Sequence, residues 1–413
     1  MERVILHCDL NSYFASVECI KNPALKSYPV AVCGNTAERH GIVLAKNDIA
    51  KKFGIITGEP VVYAKNKCRN LVIIPPNYED YVRYSNIVKD IYYQYTDMVE
   101  SFGIDECWLD VTDSQNLFGN GYEIAWKIKE QVKAETQLTL SVGVSYNKAF
   151  AKLGSDMKKP DAVTVITKEN FKSKVWSLPA NTLLGVGRKA NIVLRRYCIN
   201  TIGDLANAGT DFLQRRFGKN GLVMNVFANG LDPTPVMPIN YTPPLKSIGH
   251  GITTTRDLKT NDEVSDILVE LAQVIGDKLK AAGMMAKGVA VTVRDSALTD
   301  KVIQCQLPYA TQSSMVLVKY AKELFASKYV WHTQIRSVTI RAINLKPSDM
   351  PEQLSLFVDY DKQAKLENVD IAVSNIRSRH GTYAINPAVH YKSDLSMVKE
   401  KPASQSPMTM YLL

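Results

Sequence analysis

The order of the secondary-structure elements constrains the fold of this chain most, because one order is predicted twice. In residues 1–175, short apolar runs rich in Val, Ile, Phe and Trp predict buried strands, and patterns of helical period lie between them. The elements follow as strand, helix, strand, strand, helix, strand: Val4–Cys8, Tyr78–Tyr95, Val99–Ile104, Cys107–Val111, Tyr122–Ala134 and Leu138–Ser145, with a further strand at Val163–Ile166. This order predicts a split βαβ sheet of the ferredoxin-like kind.

A second α+β region repeats the order. It comprises Ser247–Thr255, Asp262–Ala281, Gly288–Asp295, Val302–Leu307, Ser313–Ala326 and Ile335–Leu345. Between the two regions lie a basic helical segment, residues 176–232, and a stretch with many prolines, residues 233–246. Because proline neither donates to a sheet ladder nor continues a helix, this stretch predicts a semi-extended linker at a domain boundary. Residues 22–76 interrupt the first region and predict a small inserted subdomain.

Composition and charge narrow the class of protein. A chain of 413 residues and 46.0 kDa exceeds one hydrophobic core, and its 46% hydrophobic residues are a globular value. We expect no membrane span, because no apolar run has the necessary length, and no signal peptide, because the N-terminus shows neither a basic lead nor a small-residue cleavage site. The seven cysteines show no CxxC spacing, which predicts reduced thiols and a cytoplasmic location. A net charge of +9 fits a polyanionic partner.

Three acids lie at the ends of predicted buried strands. Asp9 follows Val4–Cys8, and Asp105 and Glu106 separate two apolar runs. Such carboxylates are costly unless a cation meets them, and neighbouring carboxylates repel each other. Hard divalent cations prefer oxygen ligands, so the pattern indicates a two-metal site for phosphoryl transfer. The structural alternative is that the acid pair forms an ordinary turn and Asp9 an ordinary helix cap.

The segment after Asp9 joins the first strand to a helix. Asn11 or Ser12 is the expected N-cap, and the free N–H groups at a helix start attract anions such as a triphosphate. Tyr13 and Phe14 would project from the first turn beside the sugar of a nucleotide. The alternative is that both rings belong to the hydrophobic core.

Three segments resemble the palm motifs of the Y-family DNA polymerases, the low-fidelity enzymes of lesion bypass. They are Asp9–Glu18 (DLNSYFASVE), Ser101–Asp110 (SFGIDECWLD) and Ser141–Pro160 (SVGVSYNKAFAKLGSDMKKP). The resemblance runs in order from residue 1 to about 357 and is to the DinB/UmuC type, with the bacterial UmuC-like branch the most similar.

The resemblance implies an α+β multidomain protein built as a right-hand polymerase. Its domains would be a ferredoxin-like palm (1–21 and 77–175), small fingers (22–76), a helix-hairpin-helix thumb (176–232), the linker (233–246), an α+β little finger (247–346) and a C-terminal tail (347–413).

The resemblance also implies a catalytic metal site. Asp9, Asp105 and Glu106 match the triad that binds two Mg²⁺ ions, with the Leu10 carbonyl as a backbone ligand. In-line phosphoryl transfer needs charge neutralisation and positioning more than covalent help, which agrees with acids in these places.

Nucleotide contacts follow from the same motifs. Phe14 matches the steric gate that excludes a ribose 2′-hydroxyl, with Tyr13 next to it, and Lys159 matches the lysine that contacts the triphosphate. Many members have Tyr-Glu-Ala-Arg where this chain has Asp48-Ile-Ala-Lys51. Lys51 could still meet a phosphate, although without bidentate geometry, and an ionised Asp48 cannot donate as a tyrosine hydroxyl does. A solvated helix face is the alternative for Lys51.

Further matches concern DNA and a partner protein. The thumb glycines would hold a DNA phosphate at a hairpin, although a helix C-cap turn is the alternative. The little-finger arginines could equally face solvent. A pentapeptide in the tail resembles the sliding-clamp-binding motif of bacterial polymerases, and it could instead pack back on the little finger. The residues are Gly185, Gly187 and Lys189; Arg256, Arg336 and Arg341; and Gln353, Leu354, Leu356 and Phe357.

We therefore expect a monomeric, template-directed DNA polymerase of the error-prone translesion type. It would add dNTPs to the 3′-hydroxyl of primer-template DNA during damage tolerance, with a sliding clamp as partner. A palm-fold nucleotidyl cyclase is disfavoured by the basic thumb-like segment and the second α+β region. A catalytically silent DNA-binding scaffold is disfavoured by the intact acids and Lys159.

Overall fold

A computed structural model describes residues 2–35, 39, 41–350, 359–381, 384–385 and 387–388. The chain divides into two compact units. The first holds Met1–Gly34 and Ile42–Thr242, and the second holds Asn35–Gly41 and most of the chain from Pro243. No helix in these ranges combines the length and the apolar character that crossing a membrane requires.

The first unit contains eight strands and twelve α-helices in its described residues. They are β1 (Ile5–Leu10), α1 (Tyr13–Lys21), β2 (Val30–Cys33), β3 (Val43–Lys46), α2 (Asp48–Lys52), α3 (Val61–Lys67), β4 (Val72–Ile74), α4 (Tyr78–Tyr93), β5 (Val99–Ser101), β6 (Glu106–Asp110), α5 (Gln115–Phe118), α6 (Gly121–Thr136), β7 (Leu140–Ser145), α7 (Lys148–Met157), β8 (Val163–Ile166), α8 (Phe171–Val175), α9 (Arg188–Arg196), α10 (Ile202–Asn207), α11 (Thr210–Phe217) and α12 (Lys219–Ala228).

A five-stranded sheet in the order β5-β6-β1-β7-β8 forms the centre of the first unit. Every residue of β1 is buried. Because side chains alternate between the faces of a strand, Leu6, Cys8 and Leu10 enter the core shared with α4 and α6. Residues 5, 7 and 9 therefore point to the opposite face, where α7 packs against β1 and β7. Residues 22–76 form a separate three-stranded sheet, β3-β2-β4.

The second unit is a four-stranded antiparallel sheet with helices on one face. Its elements are β9 (Ser247–Leu258), α13 (Asn261–Ala281), β10 (Met284–Asp295), β11 (Asp300–Thr311), α14 (Ser314–Lys328), β12 (Ile335–Pro347) and α15 (Tyr360–His380), and the strand order is β11-β10-β12-β9. Apolar residues of α13 and α14 pack on Val289, Val291, Val338 and Ile340 to form its core.

The tail contains an ordered helix that the sequence pattern did not predict. The buried Asp370 of α15 accepts hydrogen bonds from the hydroxyls of Ser313, at 2.6 Å, and Ser314 at the start of α14. Lys280 Nζ donates to the Asp370 carbonyl at 3.2 Å, and Arg377 donates to Gln273 at 2.7 Å. A carboxylate at a helix N-terminus is favourably placed. Together these polar contacts hold α15 against the little-finger region.

The first half of the expected linker is fixed to the palm region. Met237 N donates to Glu100 Oε2 at 2.9 Å, and Ile239 N donates to the Asp97 carbonyl at 2.9 Å. Val236 is buried. Residues up to Ile239 are therefore held by the sheet's edge strand β5 and its neighbouring loop.

The contact between α7 and the sheet depends on a missing side chain. Gly143 lies on β7 opposite His7, and a Cβ atom built on it would lie 1.8 Å from the Ala151 carbonyl oxygen. Real Cβ atoms do not approach this closely, so only glycine allows the backbone of α7 to lie on β7.

We expect Gly143→Ala to destabilise the protein by about 3 kcal/mol, because the added carbon must push α7 off the strand. Urea denaturation measures the change. Gly209→Ala is the matched control, since a Cβ there meets no atom within 4 Å. Equal stability of the two variants would contradict the role of the close approach.

Candidate active site

The register of two strands brings the predicted acids together. β1 and β6 are antiparallel, and Asp9 lies opposite Glu106. Asp105 immediately precedes β6, and its carbonyl accepts a hydrogen bond from Leu10 N at 3.1 Å. Asp105 lies in the turn between β5 and β6, as the turn interpretation expects. This turn nevertheless places its carboxyl beside the end of β1.

Burial and mutual repulsion shape the pKa values of these acids. Burial raises the pKa of Asp9, although Lys159 opposes the rise. Burial and the charges of Glu106 and Asp9 raise the pKa of Asp105 to about 6. Burial acts in the same direction on Glu106, but its close contacts with His7 and Lys152 outweigh it and lower the pKa to about 2. Burial and repulsion of the three carboxylates are therefore least compensated at Asp105.

Two lysines approach the carboxylates. Lys159 Nζ donates to Asp9 Oδ2 at 2.6 Å and also pairs with Asp156 at 2.8 Å. Lys152 of α7 donates a hydrogen bond to Glu106 Oε2. The sequence prediction contained Lys159 but missed Lys152. The sequence contained a signal for Lys152, since it lies four residues after Lys148 in the helical segment that follows Gly143.

The donor set fits a hard divalent cation. Asp9 and Glu106 lie opposite each other on β1 and β6, and Asp105 precedes Glu106. Carboxylate oxygens are the preferred ligands of Mg²⁺. Within the described residues, no three His, Cys, Asp or Glu side chains already stand in a metal-binding cluster. The three carboxyl groups would therefore have to move closer together to share a cation.

The start of α1 has no side-chain cap. Ser12 occupies the N-cap position with φ of 52°, and its buried hydroxyl has no partner in the described part of the chain. Asn11 bonds instead to Thr139 and Ser141. The N–H groups of the first turn are therefore left for another acceptor, as a helix start requires.

Both aromatic residues of the first turn are buried. The ring of Phe14 stacks on Tyr81 with centroids 4.2 Å apart, and the Tyr13 hydroxyl donates to the Tyr81 carbonyl. Tyr81 in turn donates to Glu18 at 2.7 Å. The expectation of core packing thus describes their surroundings.

The fingers lysine has an internal partner. Lys51 Nζ lies 2.8 Å from Asp48 Oδ1 on α2, and both side chains are exposed. The two residues that depart from the common family pattern thus pair with each other.

The remaining predicted contacts lie on separate elements. In the thumb region, Gly187 is the N-cap of α9 and Gly185 has a φ of 89°, and a Cβ atom added to either glycine would meet no atom within 4 Å. Lys189 lies in the first turn of α9.

The predicted little-finger contacts lie in the second unit. Arg256 pairs with Glu263 at 2.6 Å. Arg336 and the exposed Arg341 lie on β12. The clamp-motif residues Gln353, Leu354, Leu356 and Phe357 lie outside the described residues.

Comparisons with known proteins agree with this architecture. The model of the impB/mucB/samB family matches residues 8–156, and that of its C-terminal domain matches residues 245–356. A protein of Acetivibrio thermocellus named DNA polymerase IV is 46% identical over 94% of this chain and 98% of its own length. A DNA polymerase IV of Moorella thermoacetica is 34% identical over 93% of this chain and 95% of its own. A solved Y-family DNA polymerase chimera, Dbh-Dpo4(243-245)-Dbh, shares the fold with a TM-score of 0.72 and 23% identity, covering 83% of this chain and 98% of its own.

The fold defines a right-hand nucleic-acid polymerase, which confirms the predicted fold class. The chain belongs to the Y family of DNA polymerases and is of the DinB type. The prediction of a translesion DNA polymerase is thereby confirmed, and neither the cyclase nor the silent scaffold is favoured. Y-family polymerases depend on divalent metal ions, in agreement with the donor set.

Proposed function

We propose that Asp9, Asp105 and Glu106 hold two Mg²⁺ ions, with the Leu10 carbonyl as a further ligand. The observation that carries this proposal is the cross-strand pairing of Asp9 with Glu106, which puts Asp105 at the same strand end. The raised pKa of Asp9 and of Asp105 supports it, because burial disfavours both charges and, at Asp105, the charges of Glu106 and Asp9 add repulsion. Bound there, the ions would neutralise the triphosphate and activate the primer 3′-hydroxyl.

The triphosphate would lie between the start of α1 and Lys159. The uncapped first-turn amides and the Ser12 hydroxyl offer donors to its oxygens. Lys159, which also contacts Asp9 and Asp156, would supply a compact positive charge to phosphate. Phe14 would border the sugar, with Tyr13 bound to the Tyr81 backbone behind it. Lys51 would add at most a monodentate phosphate contact, because Asp48 shares its charge.

DNA would be held through its backbone in both units. In the thumb region, the open surroundings of Gly185 and Gly187 admit a phosphate next to Lys189. In the little-finger region, the exposed Arg341 and the half-buried Arg336, both on β12, would contact phosphates. Arg256 would first have to leave Glu263.

Three broader expectations also remain proposals. The tail motif suggests a sliding clamp as partner, and the protein would act as a monomer. All seven cysteines are free thiols, which supports a reducing, cytoplasmic location.

Replacing the acids tests the metal site. We expect Asp105→Ala and Glu106→Ala to abolish extension of a primed template with Mg²⁺ and dNTPs, because the reacting oxygens lose their counter-charge. Binding of primer-template DNA should persist. Asp113→Ala, an exposed acid on the same unit, is the control and should extend normally. Normal extension by either site variant would exclude the assignment.

Replacing Phe14 tests the steric gate. We expect Phe14→Ala to increase the use of ribonucleotides relative to deoxyribonucleotides at least about tenfold, equivalent to about 1.4 kcal/mol of lost discrimination. The readout is the ratio of kcat/KM for the two nucleotides. This ratio is insensitive to the fraction of folded enzyme, which the loss of stacking on Tyr81 would reduce. An unchanged ratio would remove Phe14 from the gate.

Removing the tail motif tests the clamp. Deletion of Gln353–Phe357 should leave basal synthesis intact and abolish stimulation by the purified clamp, because the apolar anchors are lost. Ser355→Ala, inside the same pentapeptide, should retain stimulation. If the deletion variant is stimulated as strongly as the complete chain, the motif has another role.

A further inference from the structure

A buried histidine of the palm sheet, His7, contacts a residue of the candidate metal site. His7 is completely buried on β1, two residues before Asp9 and on the same face of the strand. Its Nε2 atom lies 3.2 Å from Glu106 Oε2, and its Nδ1 atom lies 2.8 Å from the Ser155 hydroxyl. The ring is thus placed between a hydroxyl of α7 and a candidate metal ligand.

The contacts to Glu106 are asymmetric. Lys152 and His7 both approach Oε2. No hydrogen bond or ion pair from the described residues reaches the other carboxylate oxygen, Oε1. A carboxylate held through one oxygen offers the other to a cation in a fixed direction.

The Nε2 atom of His7 lacks a hydrogen-bond partner among the described residues. Nε2 lies at hydrogen-bond distance from Oε2 but makes no well-directed hydrogen bond, and it is fully buried. An unpaired buried polar group is unfavourable, so a small rotation of Glu106 toward His7 would be stabilising. Lys152, in contrast, is partly exposed and also lies 5.1 Å from the Phe102 ring centroid, so it has another favourable position when it leaves Glu106.

We propose that His7 is a positioning residue for Glu106. Ser155 donates its hydroxyl proton to Nδ1, which leaves a proton on Nε2 that is directed to Oε2. Glu106 is thereby held through Oε2 and presents Oε1 to the cation. This inference rests on the proposed metal role of Glu106. Such hydrogen bonds behind a metal ligand fix its orientation, and their loss commonly weakens metal binding about 10- to 100-fold.

The position of Ser155 depends on the close approach of α7. Ser155 and Lys152 are three residues apart on this helix and therefore lie on the same side. The Ser155 hydroxyl lies 2.8 Å from the Lys152 carbonyl as well as from Nδ1, and its single proton can serve only one of them. In the proposed arrangement, that proton is directed to the imidazole.

Binding of Mn²⁺ to the complete protein, without DNA or nucleotide, tests the inference by electron paramagnetic resonance. We expect His7→Leu to weaken Mn²⁺ binding about tenfold, and His7→Gln, whose amide can still donate to Oε2, to restore most of the affinity. Ser155→Ala should weaken binding in the same direction. Ser145→Ala is its matched control, because it loses a buried hydroxyl that bonds the Ile166 carbonyl and does not touch His7. In the Glu106→Gln background, His7→Leu should have no further effect.

Two additional readouts separate positioning from structural damage. The Mg²⁺ concentration for half-maximal extension should rise in His7→Leu, whereas kcat at saturating Mg²⁺ should change much less. Nitrogen-15 NMR of the complete protein should show a proton on Nε2 of His7. A bare Nε2 would overturn the proposal.

The outcomes distinguish the metal role of Glu106 from the positioning role of His7. If Glu106→Gln binds Mn²⁺ as the native chain does, the proposed metal role of Glu106 fails. If Glu106→Gln is weakened but His7→Leu and Ser155→Ala are not, only the positioning role fails. If His7→Leu does not fold, Ser155→Ala against Ser145→Ala decides the question.

Discussion

The backbone contact between α7 and β7 is the constraint on which the site depends. Gly143 has no side chain, so the carbonyl of Ala151 can lie against the strand. This brings Lys152 and Ser155 of the helix to the polar residues of β1 and β6. If a side chain at position 143 held α7 away from β7, Lys152 and Ser155 could not contact the polar residues of β1 and β6. A packing requirement of the sheet therefore determines the electrostatics of the carboxylates.

The charge balance at the strand ends follows from this packing. Asp9 has Lys159 and Glu106 has Lys152 as cationic neighbours. Asp105 lies near both acids, and its pKa rises to about 6 because burial and like charge act together. The protein thus compensates two acids and leaves the third strongly perturbed. A divalent cation in contact with all three would remove the remaining repulsion, which a further lysine could do only for one of them.

The sequence predicted the positions of strands and helices better than it predicted strand register and tertiary contacts. Apolar runs located the palm strands to within a few residues, because burial on both faces leaves a clear signal. The pairing of Asp9 with Glu106 could not be read from either run, since register depends on the turn and on the partner strand.

Two features were missed although one of them left a signal in the sequence. His7 is a polar residue inside a buried strand, and this signal was overlooked. The helix α15 was missed for a different physical reason, because its apolar residues form no stripe of helical period. Its docking relies on Asp370 at the start of α14, a tertiary contact between residues far apart in sequence.

The fingers region shows how a departure from the family pattern can be self-consistent. Asp48 and Lys51 replace a tyrosine and an arginine, and the two replacements form an ion pair on one short helix. Lys51 consequently has a neutralising neighbour, and an exposed pair of this kind contributes little stability of its own. A triphosphate arriving at this side would meet less net positive charge than an unpaired arginine provides. In the proposed arrangement, the balance of its charge would come from Lys159, the first turn of α1 and the cations, all on the palm region. Recognition of the triphosphate would then rest more on the palm than on the fingers.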